Sequence, residues 1–344
     1  MRTGAYLFFA LIFTLLVGGI VYMINPGTYS FDIFGVHMPA LPVAVWVMAP
    51  VLLLVIFSFL HMLYYGAKSF FGYRKWYRDA NELEDALYWA MVQEPKEHTF
   101  VVDDIAKSAN LLNVSVLNVK RIVQPLSSKL SKTLEWIKEI ENGGYVDLKA
   151  KKVEKNLSKN NPLLIKNYIN RLEKDESFLN EVLEFSDRFA PEVLEKAYDI
   201  LVEKKDIFTI KKYAKEIGKE RFFKLLNRLK DSKNLKVTSS IFEYFMNQYE
   251  LNCQEFLKVA KIAVKVLNPD DVIAIFQKIQ NENELAQSAY LYILFEYELL
   301  DKVKSFLEEH DEDEFRSFRA LLILKRNRYS FKVDEIISED NACR

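Results

Sequence analysis

PVAVWVMAPVLLLVIFSFLHMLYY, residues 42–65, runs through twenty-four positions without a charged side chain, and a second such run, AYLFFALIFTLLVGGIVYMI, occupies residues 5–24. Twenty residues of α-helix at 1.5 Å rise span about 30 Å, the thickness of a bilayer's hydrocarbon core. Both runs are read as transmembrane helices, at about 5–24 and 42–65, forming a hairpin over residues 1–66. Arg2 ahead of the first run is reminiscent of a signal peptide. The apolar stretch is longer than such a signal needs, however, and no small-residue cleavage site follows it. Arg2 and Asp32 are the two charged residues in positions 1–66, so a net charge of -1 over 344 residues averages an apolar segment with a highly charged one.

Lysine and arginine placement orients the hairpin. The connection from Asn25 to Leu41 has neither, whereas Lys68, Arg74, Lys75 and Arg78 follow the second run directly. The positive-inside rule then puts both chain ends in the cytoplasm. Ala10, Thr14 and Gly18 recur at spacing four and form a small-residue stripe, expected to pack against the second helix or a second copy of the chain. Pro50 is expected to kink the second helix. Between the helices, Tyr29, Phe31 and Ile33 alternate with Ser30 and Asp32 before Gly35, which predicts a short extended pair with a turn.

Two apolar helices, Asn25 closing the first, the alternating Tyr29-Ser30-Phe31-Asp32-Ile33 and Pro42 opening the second together resemble the lipopolysaccharide assembly protein A-like membrane domain. The resemblance covers residues 1–70, about a fifth of the chain. It implies a multi-pass protein of a bacterial inner membrane, serving envelope or lipopolysaccharide assembly.

Residues 67–79 form a basic-aromatic juxtamembrane segment. Lys68, Tyr73, Arg74, Lys75, Trp76 and Arg78 are the side chains expected to anchor at the membrane interface and to meet anionic lipid headgroups. From residue 80 the chain reads as helical. After Gly72 the sequence holds only Gly143, Gly144 and Gly218, too few breakers for a β-rich domain. Asn81 is read as the cap of a first cytoplasmic helix and Asp103 as the cap of another. Residues 80–144 form a helical N-terminal portion and 145–161 a lysine-rich linker. Residues 162–338 form a helical-repeat domain, with a tail at 339–344. Eleven segments of 11–15 residues between 162 and 326 carry apolar positions at spacings of three and four, with Pro191, Gly218 and Pro269 at boundaries. Short connections make neighbours antiparallel, so the expected fold is all-α, a tetratricopeptide- or HEAT-like α-solenoid behind a two-helix membrane hairpin.

Chemistry leaves few marks. His37, His61, His98 and His310 sit in separate segments, and no metal-binding, phosphate-cradling or nucleophile motif occurs. No catalytic, cofactor or metal residue is expected. The two cysteines, Cys253 and Cys343, lie far apart in the part placed in the cytoplasm and are expected as separate reduced thiols. A balance of 47 basic against 48 acidic residues gives no global pull on nucleic acid. The reading is a non-enzymatic inner-membrane scaffold that binds a protein partner through its repeats. One alternative is a membrane-tethered regulator with a helix-turn-helix at 102–123, its second helix capped by Ser115 and carrying Lys120 and Arg121. The other is a membrane enzyme of unknown class.

Overall fold

The computed structural model describes residues 3–121, 124–231 and 237–343. The fold is all-α, with four two-residue strands beside the helices among the described residues. Its contacts group into two compact units, one ending at Glu135 and one beginning at Trp136.

In the first unit, α1 (Thr3–Ile24) packs along α2 (Val43–Met91), and both are long and apolar enough to cross a membrane. The connection folds as two antiparallel pairs: β1 (Thr28–Tyr29) with β4 (Leu41–Pro42), and β2 (Asp32–Ile33) with β3 (Val36–His37). Phe34 and Gly35 both have positive φ, the backbone that a tight hairpin turn requires. The indole N–H of Trp46 donates to the Tyr29 carbonyl at 3.0 Å, and the Phe31 ring lies 4.5 Å from the indole, which pins the pairs to the start of α2.

Helix α2 continues without interruption for 49 residues, through Pro50, Gly66 and Gly72. Asn81 therefore sits inside a helix instead of opening one, and the segments read as separate at 67–79 and from 80 onward share one rod. Pro50 lies about two turns into the helix that starts at Val43. α3 (Asp103–Ala109) and a 3-10 turn (Asn110–Asn113) pack against the far part of α2. Asp103 is the first residue of α3, not its cap. The residue at the cap position is Val102, which has no side-chain acceptor, and the fully buried Asp79 instead anchors the chain entering α3, accepting the Val101 and Val102 amides at 2.8 and 2.6 Å.

The helix-turn-helix fails at its second element. Residues 114–121 are not helical, and Ile122 and Val123 lie outside the described residues. Val114, Val116 and Val119 are β-branched, and the Leu117 amide is spent on the Ala90 carbonyl at 2.9 Å. Ser115 caps nothing, and Lys120 and Arg121 lie on no helix.

The second unit begins within α4 (Ser128–Glu141). The segment read as a linker, 145–161, is instead packed. Val146, Leu148 and Val153 are buried while Lys149, Lys151 and Lys152 stay at the surface. Asn167 in α5 (Pro162–Lys174) accepts the Val146 amide at 2.9 Å and donates to the Val146 carbonyl at 2.8 Å. Asn170 donates to the Ile140 and Gly144 carbonyls, both at 2.8 Å.

Beyond α5 come α6 (Glu176–Glu184), α7 (Pro191–Lys204), α8 (Ile207–Lys211), α9 (Gly218–Asp231) and α10 (Ser239–Met246). α11 (Cys253–Val266), α12 (Pro269–Glu282), α13 (Gln287–Glu296), α14 (Leu300–Glu308) and α15 (Arg316–Arg326) follow. Prolines stand at the first position of α5, α7 and α12, where their missing N–H costs nothing. α5 packs on α7, α7 on α9, α9 on α11 and α11 on α13, with α10 against α12 alongside. One continuous core runs through them, including Phe178, Phe222, Phe242, Phe276, Phe295 and Phe318. Tyr290 and Tyr292 belong to this core. Two four-residue helices, α16 (Val333–Ile336) and α17 (Glu339–Ala342), fold back on α13, α15 and α11. They carry Cys343 to Cys253, and the two form a disulfide with Cα atoms 5.9 Å apart. The expectation of two separate thiols is corrected here: a separation of 90 residues in sequence conceals a return of the chain onto the first turn of α11.

Candidate functional site

The stripe on α1 faces inward in part. Thr14 is buried, and its hydroxyl donates to the Ala10 carbonyl at 2.7 Å. A Cβ on Gly18 would meet the Met48 sulfur at 2.0 Å, so only glycine admits that side chain in its present place. Lys68, Tyr73, Arg74, Lys75, Trp76 and Arg78 are all exposed on α2. At 100° per residue, the four cations share about a third of the helix circumference, and Phe70, Tyr73, Trp76 and Tyr77 occupy the opposite side. Arg78 also reaches the buried Asp79 at 3.2 Å.

The second unit holds a cavity of about 440 Å³ that no motif announces. The packed segment after α4 supplies Tyr145, Asp147, Lys149 and Glu154; α5 supplies Tyr168 and Arg171; α6 supplies Phe178 and Glu181; Arg188 and Phe189 close it. Tyr168, Phe178 and Phe189 form a three-ring cluster with centroids 5.3–5.7 Å apart. The Arg171 guanidinium lies 4.1 Å from the Phe178 ring centre and 5.2 Å from that of Tyr145, with Nε 3.1 Å from Asp175. Hydrogen bonding from Ser177 holds the Asp175 carboxyl below its usual range, burial opposes this, and Arg171 and the Phe178 amide reinforce it. Burial raises the Tyr168 phenol well above its ordinary value, and the Glu154 carboxylate bonded to it adds to the rise, so it stays protonated as a donor. Burial also raises Tyr145, against the pull of Arg171. Three cations, three carboxylates and four aromatic rings thus line a space of the size that small ligands or single peptide side chains occupy. Such a lining orients a ligand by charge and stacking.

Elsewhere, His310 turns toward its own helix, its Nδ1 2.7 Å from the Phe306 carbonyl and its ring stacked on Phe306. His98 meets Glu82 at 3.0 Å, and its backbone N–H and C=O both pair with the Asn113 side chain. Among the described residues, no group of three or more His, Cys, Asp or Glu side chains is placed to hold a metal ion. Sequence reasoning missed the cavity because Tyr168 and Arg171 look like one more helix face. The available signal was Val146, Leu148 and Val153, three apolar side chains spread through a charged stretch, which marks a half-buried segment and not a solvated one. No family model, curated protein or solved structure matches this chain.

Proposed function

We propose that the protein is a membrane-anchored, non-enzymatic adaptor whose cytoplasmic helical array binds a partner protein. The observation that carries this is the successive packing of α5, α7, α9, α11 and α13, the arrangement by which helix pairs stack into an α-solenoid and offer an extended binding surface. The charged and aromatic cavity among α5 and α6 is the subsite where one partner side chain would seat. Two apolar helices joined by a cation-free loop, with four cations beyond the second, support a hairpin with both ends cytoplasmic. The resemblance of residues 1–70 to the lipopolysaccharide assembly protein A-like domain supports an inner-membrane setting in envelope assembly. An upright α2 would carry Trp76, eleven residues past Tyr65, about 17 Å beyond the hydrocarbon core, past a headgroup layer about 6 Å thick. Lys68 is then the cation nearest the lipid, and Tyr73, Trp76 and Tyr77 stand clear of it.

Three forms of the full-length protein would be captured from detergent-solubilised membranes: wild type, the Tyr145→Ala/Arg188→Glu variant, and a chain whose residues 1–66 are replaced by an unrelated two-helix hairpin. Defined proteins should be recovered with wild type and the hairpin replacement, and lost with the cavity variant. Recovery that survives the cavity variant and vanishes with the hairpin replacement would assign binding to the membrane segment and defeat the adaptor reading.

A further inference from the structure

We propose that Cys253 and Cys343 are a thiol–disulfide exchange site, opened by a dithiol reductant, that latches the C-terminal segment 329–343 onto α11, α13 and α15. The inference rests on the cytoplasmic placement proposed above. Disulfides in a reducing compartment are chiefly transient or redox-sensing, so a pair held in bonding position there points to a switch.

The pair is the chain's whole complement of cysteine. Both residues are partly exposed, and Cys343 lines a cleft of about 330 Å³ with Phe315, Arg316, Ser317 and Asn341. A reductant therefore reaches the Cys343 sulfur. Its thiolate attacks Cys343 Sγ, the Cys253–Cys343 bond breaks, and the electron pair leaves on Cys253. Cys253 is the first residue of α11, where the positive end of the helix dipole favours a departing thiolate. The second thiol of the reductant then displaces Cys343. Two electrons and two protons pass to the protein, which holds two thiols, and the reductant leaves as a cyclic disulfide.

What the bond holds is a segment with little structure of its own. α16 and α17 are four residues each, far below the length at which a helix sustains itself. Val333, Ile337 and Ala342 are buried. Ser288 donates to the Ala342 carbonyl at 2.7 Å, and Asp334 meets Lys261 at 3.0 Å and the Tyr292 hydroxyl at 3.1 Å. Lys258 meets Glu339 at 3.2 Å and Ser317 donates to the Asn341 carbonyl at 2.9 Å, so noncovalent contacts seat the segment, and the covalent link sets how often a segment with such short helices lifts away from them.

The test uses the full-length protein in membrane vesicles of both orientations, with dithiothreitol as reductant and diamide as thiol oxidant. A membrane-impermeant maleimide reads thiol state and sidedness, and amide hydrogen exchange reads the segment. The expected result is a pair reduced in growing cells, labelled only from the cytoplasmic face and closed by diamide. Exchange at 333–342 should then rise by about tenfold or more on reduction, while α5–α7 stay unchanged. Cys343→Ser should show the fast exchange with or without reductant. Exchange that ignores the thiol state overturns the latch. A segment that opens on reduction, in a pair found oxidised in cells and labelled only from the outer face after reduction, overturns the cytoplasmic reading and with it the switch.

Discussion

Asn167 shows how much one side chain carries. It is buried, and its amide satisfies both the N–H and the C=O of Val146, so the chain after α4 is bonded to α5 as a strand would be to a neighbour. Asn167→Ala leaves the buried Val146 N–H unpaired, while the Val146 carbonyl keeps the Leu148 amide at 2.9 Å, and should cost about 1–3 kcal/mol, read by denaturant unfolding of the purified protein. A loss under half a kcal/mol would mean water replaces the amide at little cost. At Gly18 the neighbour is the flexible end of Met48. Gly18→Ala should be tolerated, because the thioether can swing aside. Gly18→Leu should destabilise the α1–α2 pair by about 1–3 kcal/mol, since the added branches press against the helix itself. Unfolding of both variants in detergent separates the two, and equal midpoints would show that the helices do not rely on this approach.

Among the elements, α2 joins an apolar stretch and a charged one in a single rod. Its first half is apolar, while its last turns carry Asp79, Glu82 and Asp85 toward the segments that fold back on it. Asp79 ties residues 101–102 to this rod. Burial raises its carboxyl, but the amides of Val102 and Val101 and the Arg78 guanidinium outweigh this and hold it below its ordinary value of 3.8. Because the folded value is depressed, the stabilisation is fully present above 3.8 and is lost as pH falls through the lower folded value. Hydrogen exchange at 101–109 should therefore accelerate on acidification across that window. Asp79→Asn should show fast exchange at neutral pH and no further change in that window. An acid response that persists in Asp79→Asn would assign the effect to another group. In the second unit the helices were legible where breakers stand, with Pro191 and Pro269 opening α7 and α12 and Gly218 opening α9, whereas the Asp175 cap of α6 and the capping box of Asn252 and Glu255 on α11 came to light in the structure. One of the eleven expected helical segments, spanning 206–217, shrinks to α8, because Tyr213 to Ile217 close in turns before Gly218. Residues 114–121 were misread because spacing alone cannot tell a helix from an extended segment laid over another helix.

Taken whole, the chain joins an apolar hairpin to a charged helical unit, and the adaptor reading depends on which side of the membrane that unit occupies. Reporters fused at each terminus should both be active only on the cytoplasmic side. A terminal reporter exposed outside would invert the placement and remove the adaptor function with it. Charge asymmetry and apolar run length were readable at once, because membrane insertion responds to summed properties of a segment and not to the identity of its neighbours. The same holds for the all-α class, which follows from local propensity and the scarcity of glycine and proline beyond residue 72. Three things waited for the tertiary structure: the packing of 145–161 onto α5, the cavity around Arg171, and the return of Cys343 to Cys253. Each depends on which distant segment supplies the missing partner, as when Asn167 completes Val146 from 21 residues away or α17 meets α11 across 90. Periodicity records which face of an element is apolar. It carries no record of what that face will meet, because that is settled only when the whole core closes.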